Sequence, residues 1–141
     1  MRQYLVDSAP LAGYLHGRAA FVDLITPFIR EHTVATSILV YAEVIEYLKG
    51  LPDFPRRRRQ LQQLLREIYP YFLTYAIVER YADIRRAMRV PHGPGLIGDV
   101  DTLIAATALE RNLTVITLDQ DFTRVPGLRV QLLEMPRSSR P

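Results

Sequence analysis

"GDVDTLIAATALERNLTVITLDQDF", residues 98–122, decides how the chain folds. Residues 99–111 read as a helix of small and apolar residues, with acids in its first turn and a stop near Asn112. LTVIT (113–117) reads as a short buried strand rich in β-branched residues. That strand stops at two aspartates one residue apart, Asp119 and Asp121.

Outward from this block, the same alternation recurs. QYLVD (3–7), TVAT (33–36), YFLTY (71–75) and LRVQLL (128–133) read as further strands. Helices are expected over 8–17, 18–30, 38–49, 56–69 and 76–89, with Pro27 kinking or shortening the second. Ser37 is placed to cap the helix 38–49, and Gly50 to close it. VPHGPGLIG (90–98) is a loop, given its prolines and glycines. Short strands alternating with helices predict an α/β domain with a mainly parallel sheet. With no internal repeat and no linker, residues 1–135 are expected to form one domain, and 136–141 a disordered tail.

The chain has 141 residues, of which 48% are hydrophobic and 23% charged, enough for a real core in a soluble globule. It has no cysteine, which excludes disulfides, thiolate metal sites and a cysteine nucleophile. The start, MRQYLVDS, reads as neither a signal nor a transit peptide, and no apolar run approaches the ~20 residues that span a bilayer. A cytoplasmic location is the expectation. The net charge of +3 permits an anionic partner without requiring one.

The acids carry the chemistry. In a parallel α/β sheet, ligands bind beyond the carboxyl ends of the strands. Asp7, Asp119 and Asp121 fall at such ends, so they share a crevice if their strands are neighbours. The helix 38–49 is apolar almost all round and is expected to be covered on several sides, yet it carries Glu43 and Glu46, about 60° apart around its axis. The helix 99–111 adds Asp99 and Asp101. Each acid also has an ordinary role open to it: Asp99 as an N-cap, Asp101 as a complement to the helix dipole, Asp119 and Asp121 in Asx-turns, and Asp7 as cap of the first helix. Together they would repel one another and protonate unless a cation sat among them. All-oxygen donors with no neighbouring histidine or cysteine suit Mg²⁺ or Mn²⁺, and such ions point to phosphodiester chemistry.

The ordered blocks YLVDS, TSILVYAEVIEYLKG and GDVDTLIAATALERNLTVITLDQDF resemble those of PIN-domain ribonucleases, and most of all the VapC-type toxins of toxin–antitoxin pairs. The resemblance runs from about residue 3 to residue 134. It implies a three-layer α/β/α sandwich around the sheet and Mg²⁺- or Mn²⁺-dependent endoribonuclease activity. It also implies a cognate antitoxin that neutralises the enzyme, and a homodimer. By the same resemblance the acids are Asp7, Glu43, Asp101 and Asp119 as catalytic metal ligands, with Asp121 also holding metal. Glu46 is then an extra and Asp99 an unassigned neighbour. Pro10 and the segment SAPL depart from the usual pattern at the first helix turn.

Ser8 and Thr117 are placed to hydrogen-bond the metal-holding acids. Arg56 and Arg57, within the run 56–59, and Arg85, Arg86 and Arg89 on the next long helix, are read as contacts for RNA phosphates or for acids of an antitoxin. Two alternatives stand beside the toxin: a non-catalytic module that binds RNA or protein, and a PIN nuclease of RNA maturation.

Overall fold

In the computed structural model, which describes residues 1–134, the chain order is β1 (Tyr4–Val6), α1 (Ser8–Leu15), α2 (Ala19–Arg30), β2 (Val34–Ser37), α3 (Ile38–Lys49), α4 (Phe54–Leu64) and β3 (Tyr69–Tyr71). It continues with α5 (Tyr75–Met88), α6 (Asp99–Arg111), β4 (Thr114–Thr117), a 3₁₀ turn (Gln120–Arg124) and β5 (Val130–Leu132). The five strands form one sheet in the order β3-β2-β1-β4-β5, and every neighbouring pair is parallel. The architecture is the three-layer α/β/α sandwich. The expected tail, 136–141, lies outside the described residues.

Parallel strands are covered on both faces and therefore read as continuous apolar runs. Leu5, Val6, Val34, Ala35, Val115 and Ile116 all have no exposed surface. The same holds for Ile104, Ala105, Ala106 and Ala108 of α6, whose small side chains bring that helix close to its neighbours. α6 ends as its sequence predicts, with Asn112 in the left-handed conformation at φ 58° and ψ 48°. No helix among the described residues is long and apolar enough to cross a membrane.

Several boundaries differ from the sequence reading. The third strand is Tyr69–Tyr71 and not 71–75, because the Thr74 hydroxyl accepts from Ile77 N–H at 3.2 Å and starts α5 there. Pro70 sits in that strand because β3 is an edge, where a missing N–H need not face a partner. α4 covers 54–64 where 56–69 was expected, with Pro55 in its first turn. β5 is limited to 130–132. Pro27 neither ends nor shortens α2, which continues to Arg30; Pro27 and the Asp23 carbonyl it leaves unpaired lie on the exposed side. Ser37 caps α3 as expected, accepting from Leu39 N–H at 3.1 Å, whereas Gly50 closes it in a right-handed conformation at φ −78°.

α3 is not covered on several sides. Its buried line is Val40, Val44 and Leu48, spaced by four, while Ala42, Glu43, Glu46 and Tyr47 are exposed.

The loop 90–98 delivers α6 to the sheet through a close backbone approach. Gly93 N–H donates to the Arg89 carbonyl at 2.9 Å, and a Cβ at Gly93 would stand 2.1 Å from the Ala87 carbonyl oxygen. Backbone cannot step aside as a side-chain tip can. Gly93→Ala is expected to lower stability by ~1–3 kcal/mol, as overpacking does, read as a reduced denaturant midpoint. An unchanged midpoint would show that the loop relaxes freely.

Candidate active site

β1 lies between β2 and β4, with Val6 opposite Ile116. Asp7 therefore emerges beside Thr117, 110 residues away in sequence. Its N–H donates to the Ile116 carbonyl at 2.9 Å, and its Oδ2 accepts from Thr117 Oγ1 at 2.7 Å. Asp7 also occupies the N-cap position of α1, but its carboxylate makes no capping bond and turns toward β4 instead. The residue is only 8% exposed. Burial pushes its pKa up, against the lowering effect of the Thr117 hydroxyl and the Ser8 N–H; Glu43 and Asp119 add to the rise.

Thr117 has a second task. Its Oγ1 accepts from Asp119 N–H at 3.0 Å, so one hydroxyl positions both acids. Asp119 Oδ1 accepts from Asp121 N–H at 2.9 Å, the Asx-type turn open to it from sequence. Phe122, fully buried, anchors that turn in the core. On the other side, Glu43 projects from the second turn of α3, and its Oε1 accepts from Ser8 Oγ at 2.5 Å. Glu43 is exposed, so the apolar surroundings expected of this helix do not enclose it; it opens to water and reaches the site from the helix flank.

Asp101, in the first turn of α6, completes the set. Its pKa is pushed up to about 6, first by burial and then by the charges of Asp7, Asp119, Glu43 and Asp121. Carboxylate oxygens of Asp101, Asp119 and Asp121 lie within 4.8 Å of one another. Asp7, Glu43, Asp101 and Asp119, with Ser8, line a single open cleft of about 340 Å³. The donors are hard oxygens gathered from separate elements, two of them oriented by hydroxyls. Opposite ligands of Mg²⁺ stand about 4 Å apart, so small side-chain movements would close the cluster on such an ion. The residues fit a divalent cation.

Other predicted residues fall elsewhere. Glu46 is exposed and does not line the cleft. Asp99 is not an N-cap: Gly98 holds that position, and Asp99 Oδ1 accepts from Arg85 Nη1 at 2.6 Å and from the Tyr81 hydroxyl at 2.9 Å. Arg85 is therefore engaged. Arg80 pairs with Glu110 at the other end of the two helices, so α5 runs antiparallel to α6. Arg85, Arg86 and Arg89 consequently come to the end of α6 that bears Asp101; Arg86 and Arg89 are exposed. Arg56 and Arg57 both bind Asp53, at 2.6 and 3.1 Å. They follow the far end of α3, which runs ~18 Å away from the strand ends. One residue was not anticipated: Arg124 Nη2 lies 3.3 Å from Asp121 Oδ1. Its signal in the sequence was the three-residue spacing within a turn.

Fold and site together define an α/β domain with an acidic cleft at the carboxyl edge of its sheet, and its sequence makes the class definite: the PIN-domain family model matches residues 4–128, and the chain belongs to that family. No curated protein matches it in sequence. Among solved structures it is similar to VapBC2 from Rickettsia felis, bound to a DNA fragment from their promoter, with a TM-score of 0.81 at 19% identity over 93% of this chain and 98% of that one. DNA-bound VapBC from Salmonella typhimurium gives 0.79 at 16% identity, again over 93% and 98%. A toxin–antitoxin complex from Klebsiella pneumoniae gives 0.69 at 21%, over 89% and 95%.

The raised pKa of Asp101 has a direct consequence without metal. Its folded value, about 6, lies above its unfolded 3.8. Between the two, the folded chain holds a proton that the unfolded chain releases, so this group's contribution to stability falls as pH rises through that window. In EDTA, Asp101→Asn should therefore melt progressively higher than wild type from about pH 4 to about pH 7, and the gap should then level off. A gap independent of pH would show that neither burial nor the neighbouring carboxylates raise the pKa of Asp101.

Proposed function

We propose that this chain is a Mg²⁺- or Mn²⁺-dependent endoribonuclease toxin of the VapC type, cytoplasmic and held in check by a cognate antitoxin. The observation that carries the proposal is the meeting of Asp7, Glu43, Asp101 and Asp119 around one cleft, with Asp121 beside them. These five would hold the metal. When bound, the ion supplies Lewis acidity and an activated water for phosphodiester hydrolysis.

The chain's own side chains prepare the site. Thr117 fixes the Asp7 carboxylate and the Asp119 backbone, and Ser8 fixes the Glu43 carboxylate, so one oxygen each of Asp7 and Glu43 is held by a hydroxyl of the protein. The exposed Arg86 and Arg89 stand at the correct end of α6 to hold an RNA backbone through its phosphates, with Arg85 fixed to Asp99 behind them. Arg56 and Arg57 are better placed for acids of a partner protein than for the substrate at the cleft. Likeness to VapBC and to a toxin–antitoxin complex supports an antitoxin partner.

A second copy of the chain suits the link after β3 together with the first turn of α5. Phe72, Tyr75 and Val78 are 63%, 92% and 44% exposed there, and Leu73 lies among them. Four large apolar side chains open to water on one short segment favour a contact surface.

The activity test uses purified protein on structured RNAs. Wild type should cleave with Mn²⁺ or Mg²⁺ and stop on addition of EDTA. Asp101→Asn should lose roughly a hundredfold or more, and Ser8→Ala about 10–100-fold. Cleavage that survives EDTA, or equal cleavage by Asp101→Asn, sinks the mechanism. Calorimetry showing no Mn²⁺ uptake would instead support the non-catalytic binding module. For the dimer, Val78→Asp should shift sedimentation from two chains to one; a wild type that sediments as one chain at micromolar concentration defeats that reading.

A further inference from the structure

A second depression opens directly from the acidic cleft. It lies between α1 and α3, has a volume of about 380 Å³, and shares Ser8 and Glu43 with the cleft. That is within the ~300–1,000 Å³ range of small-ligand sites. Its floor is Ala12 and Gly13, so backbone rather than bulk lies beneath it. Gly13 cannot be larger, because a Cβ there would stand 2.1 Å from the Phe21 ring.

The wall is aromatic. Tyr47 is 51% exposed, and His16 meets it edge to face with centroids 5.7 Å apart. His16 Nε2 is shielded from solvent and has no hydrogen-bond partner among the described residues, an arrangement that costs free energy until a partner arrives. At the rim, Arg18 is exposed, with its guanidinium 5.4 Å from the Phe21 ring centre, and no carboxylate among the described residues pairs with it. A groove with a flat aromatic wall, a small-residue floor and a free cation matches an unpaired nucleotide: the ring stacks the base, and the cation meets the backbone.

We propose that this groove seats the unpaired RNA nucleotide next to the scissile phosphate, its base against Tyr47 and His16 and its flanking phosphate toward Arg18. The inference rests on the endoribonuclease reading and deepens it. Continuity decides the occupant: a strand whose phosphate lies at Glu43 and Ser8 has its next nucleotide at the mouth of the groove. A base edge gives His16 Nε2 its partner once the ring turns out toward the groove, since that atom is shielded from solvent as it stands. The groove thus contributes a preference for sequence or for lack of pairing at one position of the substrate.

The test uses a single-stranded oligoribonucleotide that wild type cleaves with Mn²⁺, resynthesised with an abasic residue at each position in turn. Binding is measured by anisotropy with Asp101→Asn protein in Mn²⁺. One position beside the cleavage site should weaken binding about tenfold when its base is removed, as loss of one stacked base does. Adding Tyr47→Ala should abolish that penalty, and Tyr47→Phe should keep it; because Tyr47 is half exposed, neither change threatens the fold. A penalty that persists without the ring, or the absence of any sensitive position, overturns the proposal while leaving the nuclease intact. Tyr47→Ala protein that cleaves at unchanged sites but releases a bound protein partner also overturns it, since the groove would then be the partner's seat. A wild type that cleaves no RNA defeats the nuclease reading, and this inference falls with it.

Discussion

Repulsion among carboxylates at the carboxyl edge of the sheet is the constraint on which the rest of this molecule depends. Asp7 emerges from the central strand with β2 on one side and β4 on the other. Parallel pairing of β1 with β4 puts Asp7 beside Thr117, and the next turn returns Asp119 and Asp121 to the same edge. α6 must start at this edge as well, because it runs back before entering β4. The topology therefore gathers negative charge at one place, whatever the role of each acid alone.

The protein moderates that charge without removing it. Hydroxyls of Thr117 and Ser8 each donate to one carboxylate. Asp101 lies in the first turn of α6, where the helix dipole favours an anion by ~0.3–1 kcal/mol. Its pKa nevertheless rises, so burial and the four neighbouring charges outweigh the dipole. Asp53 and Asp99 show the contrast. Each has arginine beside it and is neutralised within the protein, and neither belongs to the cleft. What distinguishes the site acids is that they meet at one cleft while, among the described residues and apart from Asp121 with its long contact to Arg124, none has a cation of its own.

That contrast also marks how much the sequence discloses. The α6–β4 block was legible because several signals agree there: helix-forming residues, an Asn stop, a β-branched strand, and acids at both ends. Asp7 was legible because a buried acid at a strand end has few ordinary explanations. Glu43 was picked out for a reason the structure removes, since burial did not place it; its reach to Ser8 did. The arginine runs were legible as charge but not as partners. Asp53 lies three and four residues before Arg56 and Arg57, a visible spacing, whereas Asp99 meets Arg85 only because α5 and α6 pack antiparallel. The slip of β3 has a local origin: Thr74 reads equally well as a strand residue and as a helix cap, and pairing with β2 decides it.

The α1–α3 groove follows from the same economy of space. Gly13 lets the Phe21 ring press onto α1, fixing α2 against it, and only small side chains remain on the face that α1 turns to α3. The single buried line of α3 leaves Tyr47 and Glu43 on the flank that faces this gap. An α3 buried on more sides would have closed the gap and withdrawn Glu43 from the cleft together. Thin burial of α3 is therefore the condition under which an acid and an aromatic ring can work side by side. Fewer core contacts on the helix leave its outer face open to solvent.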